Sequence, residues 1–151
     1  MKENKFRGKA VLSIEKLEEL GIKHENGWII GNFINSNKPL ITGGILDISE
    51  EYLAPEFWVE VIPETVGQYI VKKDNLKREI FEDDIVEAYV FDSENKEKTI
   101  GKIGFNEGRG GYIFTPVKYE SKNLYYPVFA IISCDVIGNI HDTPGLLKIG
   151  S

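Results

Sequence analysis

The chain has a single cysteine, Cys134, so no disulfide can close within it. Two histidines, His24 and His141, are too few for a zinc site unless carboxylates complete the ligand set. No apolar run approaches the roughly 20 residues of a membrane helix. The longest, Val128 to Cys134, falls far short. No apolar stretch follows Met1-Lys2-Glu3-Asn4-Lys5, so no export signal is expected. These shortages point to a reducing cytosol, with no membrane association. No internal repeat or low-complexity segment is present.

Positive charge is also short. Against 24 acidic residues there are 18 basic ones, a net charge of −6. The acidic excess is shared between the chain before and after Ile62, so neither part is the broad basic domain of a nucleic-acid binder. Basic residues cluster only locally, as Lys2, Lys5, Arg7 and Lys9, and as Lys72, Lys73, Lys77 and Arg78. The second run is followed at once by Glu79, Glu82, Asp83, Asp84 and Glu87, the pattern of a solvated face with compensating charges.

What is present suits a globular β protein. At 151 residues and 42% hydrophobic, the chain can bury a core without metal or disulfide support. One internal helix is predicted, Ser13 to Leu20, with Ser13 as cap, Ile14, Leu17 and Leu20 as its apolar stripe, and Gly21 as its stop. Strands are predicted at 27–34, 39–42, 45–48, 57–62, 67–71, 85–91, 99–105, 112–119 and 128–137, separated by turn-forming residues. Gly43-Gly44 reads as a hairpin loop. Asp142-Thr143-Pro144 reads as the opening of a short helical turn through Leu147. The fold class is mainly β: an N-terminal segment, residues 1–62, with one short helix, packed on a C-terminal small barrel, residues 63–151, in one shared core. Val86, Ile103, Phe114, Ile131 and Ile137 are expected inside.

Candidate chemistry is sparse. Cys134 and His141 could form a nucleophilic dyad, but the apolar run around Cys134 marks a buried thiol that behaves as a small hydrophobe. Glu82-Asp83-Asp84 offers oxygen ligands for a hard cation, yet lacks the spacing of a calcium loop and reads as a turn. Glu107-Gly108-Arg109-Gly110-Gly111-Tyr112 is a glycine-rich loop whose amides and arginine could hold a phosphate. It lacks the strand–loop–helix setting of a phosphate-binding motif and reads as a hairpin tip. Tyr112, Tyr119, Tyr125 and Tyr126 are of the type that stacks on bases, and are equally at home at barrel edges. The candidate interaction surface is Arg109, Tyr112, Lys72, Lys73 and Arg78. No catalytic residue, metal or cofactor is expected.

Three stretches, taken in order, resemble the YopX family of phage and prophage proteins. They are Lys5-Phe6-Arg7-Gly8-Lys9 with Gly27-Trp28-x-x-Gly31; Pro63-Glu64-Thr65-Val66-Gly67-Gln68-Tyr69 leading into Glu79 to Val86; and Ile137-Gly138-Asn139-Ile140-His141-Asp142-Thr143-Pro144. The region Ile70 to Lys77 departs from the family's pattern, and Asp83 stands where similar proteins carry glycine. The resemblance implies an SH3-like C-terminal barrel and a phage accessory role in the bacterial host cytoplasm, with no catalytic activity to carry over. The expected function is therefore non-enzymatic binding of a host or phage protein. The alternative is a weak nucleic-acid-binding accessory protein using Lys2 to Lys9, Lys72 to Arg78 and Arg109. The glycine position further predicts a positive φ at Asp83, with Asp83→Gly as stable as the parent or slightly more so.

Overall fold

The computed structural model describes residues 5–43, 45–48, 53–55, 57–91 and 98–149. Two compact units divide between Tyr69 and Ile70, later in the chain than Pro63. The reason is pairing: Gly67 and Gln68 lie opposite Arg7 and Phe6, which ties them to the first unit.

In the first unit, β1 (Phe6–Lys9) pairs with β2 (Trp28–Ile34), and Lys9 faces Trp28 across the ladder. Between them lies α1 (Ile14–Glu19), capped by Ser13, whose hydroxyl accepts from the Lys16 amide at 3.2 Å. Gly21 closes it at φ +70°. Of the expected stripe only Leu17 is fully buried; Ile14 and Leu20 are 39% and 54% exposed. Six residues make fewer than two turns, so a single position of the stripe reaches the core.

The sheet continues through β3 (Leu40–Thr42), flanked by β2 on one side and β6 (Trp58–Glu60) on the other. No hairpin forms at Gly43, because β3 already has a partner on each edge. Beyond it β4 (Ile45–Ile48) pairs instead with β5 (Leu53–Pro55); Gly44 lies outside the described residues. Leu17, Ile29, Ile41, Val59 and Val61 form this unit's core.

β7 (Gly67–Lys73) passes into the second unit, where β8 (Glu79–Phe81) is its neighbour. The main sheet of that unit is antiparallel and five-stranded. It comprises β9 (Asp84–Val90), β10 (Thr99–Asn106), β11 (Gly111–Pro116), β12 (Tyr126–Pro127) and β13 (Ile131–Asn139), in the order β12-β11-β10-β9-β13. Val86, Ile103, Phe114 and Ile131 are buried as expected, and Ile137 is not, at 37% exposure. A register shift between Val136 and Gly138 sets Ile137 out of phase with its strand.

β11 stops at Pro116, which has no amide to continue the ladder, and the chain enters a 3-10 stretch, Val117–Lys122, in place of strand to Tyr119. A second 3-10 turn, Val128–Ala130, replaces the expected start of the last strand. The turn expected at Thr143-Pro144 is present: the Leu146 and Leu147 amides donate to the Thr143 and Pro144 carbonyls at 3.1 Å each and lead into α2 (Leu146–Ile149), while Thr143 Oγ1 accepts from the Asn139 amide. Among the described residues no helix is long and apolar enough to cross a membrane.

Candidate functional site

The glycine-rich loop is a hairpin tip joining β10 to β11. Gly110 has φ +66° and donates to the Glu107 carbonyl at 3.1 Å, and the Arg109 amide donates to Asn106 Oδ1 at 3.0 Å. Two amides of the supposed phosphate cradle are thus used within the loop. The Arg109 side chain turns to Tyr125. Its Nε donates to the phenol oxygen at 3.0 Å, and the guanidinium carbon lies 5.3 Å from the ring centroid.

Strand alternation sends Tyr112 to the side of Phe114, where its ring meets Phe105 edge-on at 5.3 Å. Burial, with the Glu82 carboxylate adding to it, pushes the Tyr112 phenol above its ordinary range. Arg109 and Tyr112 therefore serve different surfaces, and Tyr125 is the aromatic that Arg109 uses. Nothing in the sequence singled out Tyr125 from the other tyrosines.

The basic run divides. Lys72 is half-buried and Lys73 exposed on β7, whereas Arg78 is committed to a turn: Nε lies 2.8 Å from Asp74 Oδ2, and Nη2 donates to the Val136 carbonyl at 2.9 Å. In the first unit, Arg7 and Lys9 lie over the Trp28 ring, at 4.8 and 5.7 Å from its centroid, and Lys5 lies over Tyr69. Lys2 falls outside the described residues.

Cys134 packs in the core with Ile80, Ala88 and Phe114, and burial pushes its thiol up despite the Lys72 ammonium, a setting that disfavours the reactive thiolate. His141 faces elsewhere, with Nε2 at 3.0 Å from Asp83 Oδ2. Among the described residues no group of three or more His, Cys, Asp or Glu is gathered as a metal site. Instead Asp83 pairs with His141, and Asp84 Oδ2 accepts from the Phe81 amide at 2.8 Å.

Asp83 has the positive φ expected of it, +72°. The imidazole contact reverses the expected effect of glycine there. Relief of about 1–2 kcal/mol of left-handed strain is offset by about 1 kcal/mol for the lost bond and about 0.5–1 kcal/mol of added backbone entropy. Asp83→Gly is expected to lose up to about 1 kcal/mol in urea melts. In a His141→Ala background the loss should vanish; an equal loss in both backgrounds would count against the pair.

A family model described as YopX protein matches residues 11–148. The chain belongs to the YopX family. No curated protein matches it. The matched span takes in most of both units and leaves out β1, so the basic Lys5 to Lys9 stretch is not part of the family match.

Two features of this YopX chain gain a physical reason. The closing motif is a side-chain-built turn: Asn139 Oδ1 accepts from the His141 and Asp142 amides at 2.9 and 2.8 Å, and the Ile140 amide donates to the Asp83 carbonyl. Where β9 and β13 pair as Val90 with Ile131, the flanking chain carries exposed apolar residues. Phe91, whose amide donates to the Ala130 carbonyl, is 79% exposed, Phe129 85% and Ile132 66%. Ile132 sits in a register shift between Ile131 and Ser133, which leaves it outside the pairing.

Proposed function

We propose that this YopX chain is a non-enzymatic phage or prophage accessory protein that acts in the host cytoplasm by binding a protein partner. We read its second unit as an SH3-like small barrel, an architecture used for many functions, so the argument rests on the surface and not on the fold. The observation that carries the reading is the exposure of Phe91, Phe129 and Ile132, large apolar residues on neighbouring stretches of backbone, where the Phe91 amide donates to the Ala130 carbonyl. Burying a Phe or Ile side chain contributes about 1.5–3 kcal/mol, and grouped exposed apolar residues mark interaction sites. Nucleic acid is the weaker reading. The net charge is −6, and Arg78 is occupied by Asp74 and Val136.

The test is affinity purification of the tagged chain from host cells, mass spectrometry, and rebinding of the purified partner. The parent is expected to retain one protein stoichiometrically. A Phe91→Asp/Phe129→Asp variant with an unchanged melting temperature should bind it at least about tenfold more weakly, since interface aromatics are frequent hot spots. Recovery of nucleic acid that falls away steeply with salt would favour the other reading. Recovery of no partner at all would remove this one.

A further inference from the structure

Two carboxylates face each other across the sheet of the second unit. Glu87 on β9 stands directly opposite Asp135 on β13. Both lie on the outward side, because the flanking pairs, Ala88 with Cys134 and Val86 with Val136, turn to the core. Like charges directly opposite destabilise a sheet, so the fold gains nothing from this pair. Lys98 compensates one member only. Its ammonium lies 3.8 Å from Glu87 Oε1 and 5.5 Å from the centroid of the Tyr89 ring. Among the described residues the Asp135 carboxylate has no hydrogen-bond or ion-pair partner.

The same side changes character along the strands. Tyr89, the next outward residue of β9, lies opposite Ser133 and is 38% exposed. Phe91 follows in the alternation, and its amide joins it to Ala130, the neighbour of the exposed Phe129. Glu87 and Phe91 are about 13 Å apart along the strand direction. One strip thus has a carboxylate end and an aromatic end. An extended chain crosses that distance in about four residues.

We propose that this strip binds an extended segment of a protein partner that carries an Arg or Lys and, about four residues on, an apolar side chain. The cation pairs with Asp135 and Glu87 and relieves their repulsion, and the apolar side chain packs on Tyr89 and Phe91. This names the partner's chemistry for the partner-binding reading above and rests on that reading. Charge acts in one direction here: a net −6 draws a cationic segment and repels nucleic acid.

The test titrates the 15N-labelled full chain with an N-acetylated, C-amidated peptide, Arg-Ser-Thr-Ser-Leu-Leu. Counterparts with citrulline or glutamate in place of the arginine, and oligothymidylate, are run alongside. The arginine peptide should move the amide signals of Tyr89, Phe91 and Asp135. Its citrulline counterpart should bind about fivefold more weakly, the scale of an exposed ion pair, and the glutamate peptide more weakly again. Glu87→Gln/Asp135→Asn should bind the arginine and citrulline peptides alike. That variant should melt no lower than the parent, since the repulsion goes with the charges. Phe91→Ser should lose binding of both peptides, because it removes the apolar end.

The proposal is overturned if no signal moves at millimolar peptide, or if the parent binds the citrulline peptide as well as the arginine one. It also falls if Glu87→Gln/Asp135→Asn melts lower than the parent, or if oligothymidylate moves the same signals at lower concentration. A purified partner that is lost by Phe91→Asp/Phe129→Asp and kept in full by Glu87→Gln/Asp135→Asn would overturn the cation pairing alone and leave partner binding standing.

Discussion

Asp74→Ala is expected to destabilise the second unit by about 3–5 kcal/mol, the range for breaking a buried charged pair. The Asp74 side chain is fully buried, at 0% exposure. Its oxygens accept from the amides of Leu76, Arg78 and Val136 at 2.9, 2.9 and 3.1 Å, and from Arg78 Nε at 2.8 Å. Arg78 is half exposed, so its charge is partly screened; the larger loss is the stranding of the Leu76, Arg78 and Val136 amides, whose bonds to Asp74 are partly buried.

Burial raises the Asp74 carboxyl, but the bonds from Val136 and Arg78 and the guanidinium charge outweigh it and hold the group below its ordinary value. A depressed folded value means that this stabilisation is present above the unfolded value, about pH 4, and is lost as pH falls through the folded one. Urea melts should therefore show the gap between parent and Asp74→Ala wide at pH 7 and narrowed in strong acid. An equal gap at both would rule out the charge as its source.

The same turn shields a sheet edge. Asn75 donates to the Cys134 carbonyl at 2.9 Å and Arg78 to that of Val136. Freed of it, β13 would present an open edge of the kind that recruits other strands. Asp74→Ala should therefore also self-associate on gel filtration.

Gly31→Ala should be nearly as damaging in the first unit, at about 3 kcal/mol, the upper part of the usual range for overpacking. The new Cβ would lie 2.0 Å from the Thr42 carbonyl oxygen and 3.1 Å from Ile41 Cγ2. The oxygen belongs to backbone paired in register with Asn32, so β2 and β3 can relieve the clash only by separating. Gly27 precedes Trp28 at φ +88°, and Gly27→Ala should cost about 1–2 kcal/mol of left-handed strain. The two ends of Gly-Trp-x-x-Gly thus require glycine for different reasons. Urea melts that ranked Gly31→Ala as the milder of the two would contradict the steric account.

Features read correctly from the sequence were those decided by near neighbours along the chain. Ser13 caps α1 through an amide three residues on, and Gly21 and Asp83 adopt left-handed backbone because of their own side chains or the lack of one. Strand phase at Val86, Ile103 and Phe114 follows from alternation within one segment. Residues that went astray were decided by distant partners. Arg78 stays half exposed and paired with Asp74, as a solvated run with compensating charges should be; only its bond to the Val136 carbonyl, 58 residues away, was hidden from the sequence.

Ile137 fits an apolar strand pattern and leaves the core only because β13 slips against β9. The hairpin expected at Gly43-Gly44 failed because β3 finds both of its neighbours elsewhere in the first unit. The sequence by itself determined family, β-rich class, helix cap and turn stereochemistry, since local sterics and periodicity act over a few residues. Only the tertiary structure decided which strands pair, which cations remain available, and that Arg109 stands on Tyr125, 16 residues further on. Strand pairing and side-chain contact close long loops, and their partners are selected by packing that no local pattern encodes.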